Sequence, residues 1–206
     1  MEAAGDLPAG WPAGGDGVSL AVHDSAVVAA LGRLSLAGRE LPRGDWGGLV
    51  DRLLPNARVA KKPAGGEDLS SLGTLRLADA DPIDVRFRGG RAEVILRGVI
   101  VTPLGETAVQ RITIPWTVSA DGDSVYLQPG QPSVAADEPD AAGDVDAALM
   151  DRVRDLVEMT VAEEMRTVRL RRSVELPVSD RSMRMTLADL RLRDGWLVLG
   201  WDADLR

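Results

Sequence analysis

Residues 144–170, DVDAALMDRVRDLVEMTVAEEMRTVRL, place apolar side chains at every third or fourth position over about 25 residues. Val145, Leu149, Val153, Leu156, Val157, Thr160, Val161, Met165 and Val168 fall on one stripe, and charged side chains populate the other faces. The spacing predicts one amphipathic helix about 40 Å long, capped by Asp144, with Arg169, Arg171 and Arg172 at the negative end of its dipole. A small domain needs an extended apolar surface to cover such a stripe. That requirement limits what the rest of the chain can be.

The region from residue 82 onward supplies alternation of period two. Ile83, Val85 and Phe87 share one face of a strand, and Gly89-Gly90 makes a tight turn into RAEVILRGVIVTP. Ile112, Ile114, Trp116 and Val118 alternate with Arg111, Thr113 and Thr117. Pro115 predicts that this strand is an edge or carries a bulge. Asp121-Gly122 turns into Ser124–Leu127, so these strands read as an antiparallel meander. After the predicted helix come LPVSD and a last hairpin turned at Asp194-Gly195. Met183, Met185 and Leu187 keep one phase there, whereas Leu190 and Leu192 keep the other. The slip at Ala188-Asp189 predicts a bulge.

The N-terminal part is less regular. Residues 1–17 are rich in Gly, Ala and Pro and read as a tail or linker. Val18, Leu20 and Val22 alternate as a short strand, and Asp24 or Ser25 then caps a helix carrying Val27, Val28, Leu31 and Leu34. Gly38 ends that helix or the turn after it. A second short helix is predicted over DWGGLVDRLLP, capped by Asp45, with Leu49, Val50, Leu53 and Leu54 inward and Pro55 as its stop. Residues 56–80 read as irregular with one edge strand, and 129–143 as a connection. The expected architecture is α+β: a curved antiparallel meander wrapped around one long helix, with one or two short N-terminal helices. Residues 18–206 are expected to form one domain.

Composition excludes more chemistry than it suggests. The chain of 206 residues carries 32 acidic and 24 basic side chains, a net charge of -8, and no Cys. Disulfides, thiolate metal sites and cysteine nucleophiles are excluded. An acidic chain lacks the concentrated basic patch that nucleic acid requires. No apolar run reaches the roughly 18 residues of a membrane span, so the chain reads as soluble. Lys61 and Lys62 are the only lysines, and arginine supplies the other basic side chains, as a GC-rich coding bias does. Aromatic residues make up 3% of the chain, so its core is aliphatic, softened by Met159, Met165, Met183 and Met185.

Candidate chemical sites each have a structural explanation. His23 is the one histidine, beside Asp24 and Ser25; neighbours in sequence seldom aim at one point, and both flanking residues serve as caps. The acidic pairs in SADGDS and WDAD lack the alternating oxygens and distal Glu of a calcium loop. Asp137, Glu138, Asp140, Asp144 and Asp146 read as a solvated loop with favourable charge ahead of the helix. Gly65-Gly66 and Gly89-Gly90 lie in no phosphate-loop context. No motif calls for a catalytic residue, metal or cofactor.

Three phrases taken in order, VHDSAVVAALGRLSLAGREL, then RFRGGRAEVILRGVIVTPLGETAVQRITIPWTVSADGDSVYL, then ELPV with LRLRDGWLVLGWD, resemble the tubular lipid-binding (TULIP) superfamily. Within it they are similar to the YceB-type bacterial envelope lipoproteins. The resemblance covers residues 18–204 and lies in element order and apolar pattern. It implies a curved sheet around a long helix with an apolar groove between them, and a periplasmic or envelope location if a leader was removed. The chain departs from those proteins in lacking a lipoprotein cysteine. The residues themselves allow a closed aliphatic core or a groove. As a groove, it is lined by Leu149, Val153, Leu156, Val157, Val161 and Met165 on the helix and by Ile112, Ile114 and Trp116 on the sheet. The expected function is a non-enzymatic binding module for a lipid or other apolar small molecule. The alternative is a structural or protein-interaction module of the cell envelope, with its core closed and a partner on the edge near Pro115.

Overall fold

The computed structural model describes residues 18–42, 58–59, 73–102, 105–137, 147–165, 167–178 and 180–205. The predicted helix over DWGGLVDRLLP, the tail 1–17, the Asp144 cap and the acidic run after Asp137 lie outside these residues. The fold is α+β with two curved antiparallel sheets.

Ten strands form the larger sheet. Strand β6 (Arg91–Thr102) is its hub. One edge of β6 pairs first with β5 (Ile83–Arg88), across the Gly89-Gly90 turn, and then with β4 (Thr74–Leu77). Its other edge pairs with β8 (Gln110–Asp121) and with the short β7 (Gly105–Glu106). Beyond β4 lies β2 (Glu40–Pro42). Beyond β8 lie β9 (Ser124–Pro129) and β10 (Ser133–Ala136), and β9 leads to β11 (Val168–Arg171) and β3 (Arg58–Val59). The meander is therefore present as β5, β6, β8 and β9. Strand β4, in a stretch expected to be irregular with an edge strand, is an interior strand with Leu75 and Leu77 buried. Four residues with two apolar positions give too little period to identify it from sequence. The connection 129–143 likewise contains β10.

Pro115 does not lie on an edge strand, because β8 pairs on both sides, but it does mark an irregularity: the register slips by one residue opposite it, between Trp116↔Pro129 and Thr113↔Ser133. In a strand, N–H and C=O of one residue point to the same edge. The Pro115 carbonyl accepts from Gly130 N–H at 2.7 Å, on the side where β9 has ended and β10 has not begun. The missing donor thus falls in a gap between partners, where no ladder bond is lost.

The dominant helix, α2, spans Ala147–Glu164, after the N-terminal α1 (Asp24–Leu31). Its 18 residues give a length of about 27 Å, not 40. Val168, expected as its last buried position, belongs instead to β11, opposite Leu127. Val161, Met165 and Val168 fit a helical stripe, but Val168-Arg169-Leu170-Arg171 also alternate, and the sheet edge claims them.

Helix α2 does not lie inside one wrapping meander. It packs on one face of the large sheet, where Val153, Val157, Val161 and Met165 join Leu75, Leu77, Leu96, Ile100, Ile112, Ile114 and Trp116 in the main core. The final strands, expected to cover the helix, form a separate four-stranded sheet. Its order is β1 (Val18–His23), β14 (Trp196–Leu205), β13 (Arg181–Arg193) and β12 (Ser173–Val178). None of its residues belongs to the main core cluster.

The two sheets meet at turns. Gly195 donates to the Phe87 carbonyl at 2.8 Å and its own carbonyl accepts from Asp24 N–H at 2.9 Å. At the second joint Arg172, between β11 and β12, donates its N–H to the Asp123 carbonyl at 2.9 Å, and its Nη1 reaches the Gly122 carbonyl at 3.2 Å.

Candidate functional site

The nine residues expected to line a groove do come together. Leu149 and Leu156 pack half-buried against the main core, and the other seven belong to it. Ile112, Ile114 and Val153 have no exposed surface, so these side chains fill the space against one another. A cleft of about 680 Å³ lies at the rim of this core, where Val161 and Met165 face the Pro129–Pro132 connection.

A second apolar surface lies on the four-stranded sheet. Strand register sets the rows across it: Val22–Leu197–Leu192, Leu20–Leu199–Leu190, Val18–Trp201–Leu187, Ala203–Met185–Val174, and Met183 beside Leu176. Side chains directly opposite in an antiparallel pair share a face. The rows therefore make one face almost wholly apolar, while Arg184, Arg191, Asp202 and Asp204 mark the reverse face.

A break in register between Leu187 and Asp189 makes this possible. Leu190 and Leu187 would point to opposite faces of a regular strand. The extra residue Ala188 rotates the chain, so both phases of β13 reach the same side. The slip read from the sequence is this bulge.

Leu187 is buried, but the outer positions of the face stay open. Val18 is 49% exposed, Leu20 47%, Val174 52%, Leu176 39% and Val178 40%. Sequence reading noted the alternation in each strand separately. It missed that β1 pairs with β14, which brings Val18, Leu20 and Val22 beside the C-terminal hairpin.

His23 caps α1 itself, in place of Asp24 or Ser25, because the helix begins one residue earlier than expected. Its Nδ1 accepts from Ser25 N–H at 3.2 Å and lies 2.8 Å from Ser25 Oγ and 3.1 Å from Asp24 Oδ1. A triad requires the hydroxyl and the carboxylate on different ring nitrogens. Here both gather at Nδ1, while the ring packs edge-on against Trp196 at 4.8 Å and passes close to Gly195. Leu34, expected on the inner face of this helix, lies in the following 3-10 turn and is exposed.

Asp137 is not simply a solvated member of an acidic run. It lies 2.8 Å from Arg111 Nη2 and 3.4 Å from Arg97 Nε, and so sits between two guanidinium groups carried by directly opposed residues of β6 and β8. Asp121-Gly122 forms the β8–β9 turn, with Gly122 at φ +52°, and the WDAD segment runs within β14. Hydrogen bonding to Glu106 raises the pKa of Arg76 above its ordinary value, with the Glu106 charge adding to the effect. Among the described residues, no three His, Asp or Glu side chains are grouped as metal ligands, and no helix is long and apolar enough to cross a membrane. A scan against protein-family models gives no match to this chain, and a search of curated proteins gives no significant one.

Proposed function

We propose that the protein is a non-enzymatic binding module that holds an apolar ligand, such as a lipid acyl chain, against the apolar face of its four-stranded sheet. The observation that carries this reading is the run of apolar rows, open at Val18, Leu20, Val174 and Leu176 and bounded by Val178 with Arg181 opposite. Monomeric proteins rarely leave a contiguous apolar surface larger than a few hundred Å² without a use for it. Burial of one methylene is worth about 0.8 kcal/mol, so a twelve-carbon tail gains up to about 9 kcal/mol before ordering costs. The ligand lies on this sheet and not between α2 and the large sheet, where nine side chains already occupy the space. The non-enzymatic part of the reading is supported by the capping role of His23. A lipid-facing module suits the bacterial envelope, the location that the family resemblance implies.

Native mass spectrometry of protein purified from cells, with displacement of a fluorescent fatty acid, tests the reading. Co-purifying lipid and saturable displacement are expected. Val174→Asp combined with Leu176→Asp should abolish both while leaving the circular dichroism spectrum unchanged. Absence of lipid and of fatty-acid binding in the unaltered chain overturns the proposal and favours a structural or protein-interaction module.

A further inference from the structure

A cleft of about 1170 Å³ opens where β9 and β11 of the large sheet approach β12 and β13 of the small one. Arg169, Arg171 and Arg184 line it. Arg169 and Arg171 are two apart on β11 and share its outer face, while Arg184 comes from β13. Among the described residues, none of these three forms an ion pair. Asp123 and Glu175 also line the cleft, beyond ion-pair distance from all three.

We infer that this cleft is a binding site for the phosphoryl group of an organic phosphate, held by the guanidinium groups of Arg169, Arg171 and Arg184. Arg169 is already oriented: its Nε donates to Ser124 Oγ at 2.7 Å and its guanidinium carbon stands 6.0 Å from the centre of the Tyr126 ring. Arg184 makes only a long contact to Ser173 Oγ, 3.4 Å. The other donors of these planar forks are free for an anion, and three forks arriving from two sheets match a tetrahedral oxyanion better than a planar carboxylate. The cleft far exceeds the volume of a phosphate, which leaves room for the ligand's organic part. Asp123 and Glu175 limit the local positive charge, which disfavours polyanions such as nucleic acid. Two sources share this chemistry, an anionic lipid headgroup and a soluble phosphate monoester.

The test is calorimetric titration of the full chain with glycerol 3-phosphate and with inorganic phosphate, alongside co-sedimentation with phosphatidylcholine vesicles with and without phosphatidic acid. Binding that weakens with salt is expected in at least one arm. Arg171→Gln should weaken it about tenfold, and Arg171→Gln with Arg184→Gln should abolish it. Arg152→Gln, on the exposed face of α2, should change nothing. Binding only to phosphatidic acid vesicles identifies a headgroup site; binding of glycerol 3-phosphate identifies a soluble ligand. No binding in any arm, or binding unchanged in the double variant, overturns the inference. Arg171 is exposed, so its single variant remains informative if the double variant does not fold. Fatty-acid displacement at the apolar face should be unaffected by Arg171→Gln, which separates failure of this site from failure of that one.

Discussion

Arg172 and Leu187 hold each other twice. The Arg172 carbonyl accepts from Leu187 N–H at 2.8 Å, and the Arg172 Nε donates back to the Leu187 carbonyl. With its further bonds to Gly122 and Asp123, Arg172 ties the β8–β9 turn of one sheet to the middle of the other. Arg172→Ala removes the side-chain bonds while leaving the two backbone ones. A loss of about 1–3 kcal/mol in urea unfolding is expected. Arg172→Lys should recover less than half, because an ammonium lacks the fork that reaches two carbonyls at once.

Ala188 acts through its presence in the chain and not through its side chain. Deleting it would restore regular alternation and turn either Leu187, Met185 and Met183 or Leu190 and Leu192 toward the polar face. Loss of more than about 4 kcal/mol is expected by denaturant titration. Ala188→Gly should stay within about 1 kcal/mol of the original. A deletion variant as stable as the parent would remove the bulge from the argument for the apolar face.

Gly98 is fixed by the strand beside it. A Cβ there would fall against the Arg76 carbonyl oxygen and 2.9 Å from Leu75 Cδ1, at the point where β6 passes from pairing with β5 to pairing with β4. Backbone cannot give way as a side-chain tip can, so Gly98→Ala should cost about 1–3 kcal/mol. Gly32 is the contrast, at φ -56° with nothing within 4 Å of a Cβ. Gly32→Ala should raise the melting temperature slightly, with a gain of about 0.4–1 kcal/mol.

Asp137 separates two like charges that the register places opposite each other. Asp137→Ala leaves Arg97 and Arg111 facing one another without a counter-charge. The groups are partly exposed, so the expected loss is about 1 kcal/mol. Added salt should stabilise the variant relative to the parent, because it screens a repulsion in one and an attraction in the other.

Thr107 and Ile100 exchange hydrogen bonds in the manner of a strand pair, but with a side chain as one acceptor. Thr107 N–H donates to the Ile100 carbonyl at 3.0 Å, and Ile100 N–H donates to Thr107 Oγ1 at 3.0 Å. Thr107 is buried. Thr107→Val therefore strands the Ile100 donor away from water, and a loss of about 1–3 kcal/mol is expected. Thr107→Ser keeps the acceptor and should cost less. Hydrogen exchange at the Ile100 amide gives the local readout.

The local signals in this sequence were reliable where period and turn chemistry agreed. Ile83, Val85 and Phe87 alternate and are buried, Gly89-Gly90 and Asp194-Gly195 turn, and the slip at Ala188-Asp189 is a bulge. Pairing between distant strands left no comparable trace. Nothing local to Val18, Leu20 and Val22 says that they meet Leu197, Leu199 and Trp201, so the alternation of the last hairpin does not show that it belongs to a second sheet. The helix stripe ran too far because Val168 satisfies both periods, and only its partner Leu127 decides between them. The same blindness affects the candidate sites. Nine groove residues were identified as apolar and mutually close from period alone, but the larger open surface depends on register, and the arginine cleft depends on how two sheets approach.

Strand β1 closes the small sheet by pairing Val18 with Trp201 and His23 with Trp196. During synthesis its partner emerges only after β11, β12 and β13, so Val18, Leu20 and Val22 must wait unpaired while nearly all of the large sheet is made. Folding of the second sheet is thus postponed until β14 has been made, and a ribosome stalled after β11 would carry a nearly finished large sheet beside an apolar strand with nowhere to go.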